Sequence, residues 1–151
     1  MIQKRTTIDP QLYEADETAW LDSMYQLIEQ GRFDELDYHH LGEYLADMAN
    51  RDRRRVESRL TVLMEHLLKW VYQPDKRTRS WQRTILIQSE ELLDDCESGV
   101  LRKHAEASLV KSYAKAVKRA AIATGLSVQT FPAECPYTLD QLLSSGMPGD
   151  Q

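Results

Sequence analysis

A chain of 151 residues with a formal net charge of −5, 42% hydrophobic and 28% charged, has the composition of one ordinary globular domain, not of a disordered or membrane-spanning protein. Two cysteines, Cys96 and Cys135, are too few for a disulfide scaffold and do not form a metal-binding pair. The opening MIQKRTTIDP lacks the apolar run of a signal peptide, so a reducing cytoplasm is the expected compartment.

Helical periodicity organises the chain from its beginning. Trp20, Leu21, Met24, Leu27 and Ile28 recur at three- and four-residue steps, and Gly31 stands where a helix ends with positive φ. This spacing predicts a helix over 12–30. After GRFDELD the apolar stripe resumes at Leu41, Tyr44, Leu45 and Met48, returns at Val56, Leu60, Leu63, Leu67 and Trp70, and stops at Pro74. The two stripes are in phase, which permits a single helix from Tyr38 to Tyr72. The polar NRDRRR between them argues for a bend or a solvent crossing, and the sequence leaves both open. Ser80 is the expected N-cap of the next helix, which buries Trp81, Ile85 and Leu92, with Leu86 and Leu93 as further candidates, and ends near Gly99. A helix over 100–124 follows on Leu109, Tyr113, Ala116, Val117 and Ala120, and Gly125 terminates it. LSVQTFPAECPYTLDQLL shows no strand alternation; Phe131 and Tyr137 are its expected anchors, and Thr138 with Gln141 reads as a capping box. The predicted fold is therefore all-α: a four- to five-helix bundle with an irregular C-terminal segment and a short last helix. It forms one domain over 1–151, with its core over 12–143 and flexible termini.

Charge alternates in blocks along these elements. Asp9 to Asp47 holds eleven acids and one base, Arg51 to Arg83 ten bases and four acids, Glu90 to Glu97 five acids, and Arg102 to Arg119 six bases and one acid. Antiparallel helices that set opposite charges across their seams explain this pattern, each exposed pair contributing about 0–1 kcal/mol.

The run HLLKWVYQPDKRTRSWQRTI, the preceding VESRL and the tail TFPAECPYTLDQLL resemble those of domain-of-unknown-function family number twenty-nine, over nearly the whole chain from Tyr13 to Leu143. The resemblance implies a helical bacterial protein. It brings no catalytic residues, so candidate sites rest on their own chemistry.

The first candidate is a pocket of His66, Trp70, Arg79, Trp81 and Arg83. A histidine, two aromatic walls and nearby cations suit a small anion or a partner's carboxylate, with Arg79 and Arg83 spaced for a bidentate grip. The competing account is architectural: His66 hydrogen-bonds a helix end or packs against Trp70, and the two tryptophans pin the turn. The second candidate is a basic strip of Arg51, Arg54, Arg55 and Arg59 that could follow a phosphate backbone. Against it stand the acidic balance and the lack of a nucleic-acid-binding signature. The third is a metal site of His40, Glu43 and Asp47, beside His39 and with Glu57 and His66 as further possible ligands. Paired Glu-x-x-His motifs and His-Glu-x-x-His are absent, and no metal or other cofactor is expected. No nucleophile elbow or phosphate loop is present, and Cys135 reads as a small packed side chain. The expected function is a non-enzymatic interaction or regulatory module working with a protein partner or with its own copies, away from membranes. The alternatives are an anion-binding protein, hydrolase or metal site around His66, and nucleic-acid binding by the arginine strip.

Overall fold

Asp16 divides the first expected helix in two. In the computed structural model, which describes residues 8–144, α1 spans Leu12–Ala15 and α2 spans Glu17–Glu29. Asp16 leaves helical geometry, and its carboxylate accepts from Ala19 N at 3.0 Å. A short acidic side chain competes with the backbone for its own donors, so it starts a helix more readily than it continues one. The chain closes α2 with Gly31 at φ 70°, where Gly31 N donates to Ile28 O and Arg32 N to Leu27 O. That pair of bonds is a Schellman ending, which a residue with a Cβ adopts only under strain.

A 3-10 turn, Phe33–Glu35, leads into α3, Tyr38–Tyr72. The helix is continuous through NRDRRR. Arginine is a good helix former, and Arg55 pairs with Asp52 one turn back at 2.8 Å, so nothing in the stretch forces a bend. After α3 a 3-10 turn starting at Pro74 leads to α4, Arg79–Asp95, capped by Thr78 and not by Ser80. The Thr78 hydroxyl accepts from Trp81 N at 3.1 Å. Ser98 caps α5, Gly99–Thr124, and Gly125 ends it at φ 73°. Thr138 and Gln141 form the expected capping box of α6, Leu139–Leu143. Six α-helices, four of them of seven residues or more, and no strand among the described residues make the fold an all-α bundle. The expectation of flexible termini concerns residues that mostly lie outside those described.

The chain divides into two compact units, Met1–Ala49 and Asn50–Gln151. In the first, Trp20, Met24 and Leu27 of α2 are buried, with Leu12, Tyr13, Leu36, Leu41 and Tyr44 packed around them. In the second, α3 contributes Val56, Leu60, Leu63, Met64, Leu67 and Leu68 to the core, α4 contributes Ile85 and Leu92, and α6 contributes Leu139, Leu142 and Leu143. From α5 come Ala105, Tyr113, Ala116, Val117 and Ala120, whose three small side chains let a neighbouring helix approach closely. Buried Ser89 of α4 donates to Leu142 O at 2.6 Å and fastens α6 down. Leu45, Leu86 and Leu93, all on the expected apolar faces, are exposed. No helix of the described residues is long and apolar enough to cross a membrane.

Candidate functional site

His66 sits half-buried on α3 with Nδ1 2.8 Å from Val62 O. A carbonyl only accepts, so Nδ1 carries the proton there. Burial presses the ring toward its neutral form, outweighing the carbonyl's opposing pull. Trp70 and Trp81 are half-buried, and each ring lies beneath a cation: Arg77 stands 4.7 Å over Trp70, and Lys69 4.8 Å over Trp81. Arg77 Nε also donates to Trp70 O at 2.8 Å, closing the C-terminal end of α3. Arg79 and Arg83 are exposed on the first turns of α4. The corner thus joins the tryptophans to Lys69 and Arg77, two cations outside the candidate set.

The arginine strip splits. Arg55 bonds Asp95 at 2.9 Å, and Arg59 reaches both Asp95, at 3.1 Å, and Glu91. The basic block of α3 therefore meets the acidic block of α4 across one seam, while Arg51 and Arg54 are exposed. Across another seam Glu57 takes Lys111 at 2.9 Å and His104 at 3.7 Å. The Lys111 hydrogen bond leads in holding the Glu57 carboxyl below its ordinary range, against the opposing effect of burial.

At the start of α3 the structure groups His39, and not Asp47, with His40 and Glu43. Residues 39, 40 and 43 share one helical turn, whereas Asp47 lies a turn further on. Asp37 holds this turn. Its carboxylate accepts from His40 N at 3.2 Å, from the Trp20 indole at 3.2 Å and from His40 Nδ1 at 2.6 Å. Burial pushes the Asp37 carboxyl up, but these three hydrogen bonds together bring it below its usual range.

A groove of about 960 Å³ opens beside α5. Leu109, Val110, Tyr113, Ala114 and Val117 form its helical side. These positions make two adjacent rows, 109/113/117 and 110/114, a stripe wider than one neighbouring element covers. Val128, Phe131, Pro132, Cys135 and Tyr137 form the facing wall. Tyr113 braces the two sides by donating to Pro132 O at 2.6 Å. Burial pushes the Tyr113 phenol up to about 12 and also raises Tyr137 and Cys135, so all three are neutral near pH 7, and Lys118 and Glu134 are the charged residues of the lining. Val110 is 75% exposed, Val128 50% and nearby Ile122 85%. Val110 and Ile122 on α5 and Val128 on the facing segment thus remain in water.

The model of the family described as Domain of unknown function DUF29 matches residues 12–147, across both units and nearly the whole chain. The chain belongs to this family. No curated protein and no solved structure matches it. Membership in the DUF29 family brings the sequence expectation to a conclusion without assigning chemistry to any side chain. Sequence reading singled out neither the groove nor Asp37. The signal for the groove was the doubled apolar row on α5; for Asp37 it was an acid three residues before His40, at a helix start.

Proposed function

We propose that this DUF29 protein is a non-enzymatic interaction module of the bacterial cytoplasm whose groove receives one amphipathic helix of a partner protein. The open apolar channel between α5 and the 128–137 segment carries this reading, because exposed apolar surface in a lined depression is the usual mark of a docking site. Its helical side, from Leu109 to Lys118, extends roughly 14 Å, enough for about two turns of a bound helix. Such a helix is read through apolar anchors at three- and four-residue steps.

Charge indicates the partner's other face. Between Arg102 and Arg119, α5 holds six bases and one acid; Lys118 lines the groove, and Lys115 and Arg119 are exposed on the same helix. Acidic residues flanking the apolar anchors complement this rim and speed docking.

The test is a displayed library of helical peptides selected against the full chain, with affinities measured by fluorescence anisotropy. Selected peptides are expected to combine spaced apolar anchors with acids. Ala114→Trp, an exposed change that fills the channel, should abolish their binding while leaving the helical circular dichroism intact. Lys118→Glu should weaken it several-fold. Peptides that bind the Ala114→Trp variant unchanged would refute the groove as the docking site. A homodimer that Ala114→Trp dissolves would assign the groove to a second copy instead.

A further inference from the structure

The first turn of α3 holds a set of donors that the groove does not use. His39, His40 and Glu43 each present one ligand atom, and these atoms lie within 4.8 Å of one another. Glu43 stands four residues from His39 and three from His40, so it lies one turn on from both and within reach of either. His39 and Glu43 are exposed, so the surrounding protein leaves room for them to change rotamer.

His40 is held differently. Its Nδ1 donates to Asp37 at 2.6 Å, and its ring stacks on Tyr13 with centroids 4.5 Å apart and planes 26° apart. Asp37 is itself fixed by the buried Trp20 indole. A carboxylate that orients a histidine through one ring nitrogen leaves the other with its lone pair, the arrangement found behind metal-bound imidazoles. Two imidazoles and a carboxylate are borderline donors that suit zinc and its neighbours better than calcium or magnesium. Three protein ligands leave a fourth position for water or an incoming donor. The positive end of the helix weakly opposes a cation there. Asp37 and Glu43 offset this locally, and the eleven acids against one base from Asp9 to Asp47 attract cations more broadly.

We propose that His39, His40 and Glu43 form a binding site for one divalent transition cation of zinc's class, with Asp37 positioning His40. The test titrates zinc chloride into the tag-free full chain by calorimetry, and records the visible d–d bands of the cobalt(II)-loaded protein. One equivalent of metal and the spectrum of four-coordinate cobalt are expected. His39→Ala and Glu43→Gln, both exposed changes, should remove binding with helical content retained. Asp37→Asn should weaken it about 10- to 100-fold. His104→Ala, on another helix, should change nothing. Absence of zinc binding at micromolar metal, or equal binding by the wild type and both ligand variants, overturns the site. Should His39→Ala lose helical content, Glu43→Gln alone decides. The groove's peptide assay is independent of either result.

Discussion

His66 shows how one side chain can look reactive in a sequence and be held by its own helix in the fold. Its spacing from Leu63 and Trp70 placed it at the edge of the core, and the edge is where it lies. What the spacing could not give was the Val62 carbonyl at 2.8 Å, because a boundary histidine can turn toward solvent or toward its backbone with little difference in pattern. Burial is the chief cause that lowers its tendency to protonate. In the unfolded chain the imidazole returns to a pKa of about 6.5. Because the folded value is the lower one, the neutral ring's contribution is fully present above that unfolded value and is lost as pH falls through the folded one. Thermal melts from about pH 7 to about pH 5 should therefore show the wild type losing melting temperature more steeply than His66→Gln. Parallel profiles would mean that the buried ring contributes no such dependence. Asp37 was harder to see than His66. Its partners are two donors of His40 from its own turn and one from Trp20, 17 residues back in sequence, and only the fold puts an indole there.

At the level of elements, helix ends were legible where a residue has one strong local preference. Gly31, Gly125, Pro74 and the Thr138–Gln141 pair all act locally and end or begin helices where expected. Ends set by a choice between two similar residues were not. Thr78 and Ser80 both suit an N-cap, and Thr78 takes the role because the chain is still extended there after the Pro74 turn. Thr78→Ala should cost about 0.5–2 kcal/mol, seen as a lower urea midpoint with an unchanged slope. Ser80→Ala, inside the helix and exposed, should stay within about 0.5 kcal/mol. Equal losses at both positions would contradict the observed cap. The choice between one helix and two over Tyr38–Tyr72 was likewise beyond local pattern. NRDRRR is polar on every side, and its helical state gains from Asp52 within the stretch and from Asp95 on α4.

For the molecule as a whole, the decisive quantity is where charge is spent internally and where apolar surface is left uncovered. Two of the four arginines in the candidate strip, Arg55 and Arg59, face Asp95 and Glu91. With a net charge of −5 besides, the protein should pass through an immobilised duplex-DNA or heparin column at low ionic strength without retention. Salt-dependent retention that Arg51→Ala and Arg54→Ala abolish would restore the nucleic-acid alternative. The sequence by itself determined the helices, most of their ends, the alternating charge blocks and the family, because each depends on neighbours within a few turns or on the string as a whole. Only the tertiary structure decided that α5 leaves Val110 and Ala114 in water beside its buried row, that two arginines meet acids of α4, and that Asp37 clasps both Trp20 and His40. Those outcomes depend on which distant segment comes to lie over each face, and helical periodicity marks a face as apolar without naming what will cover it.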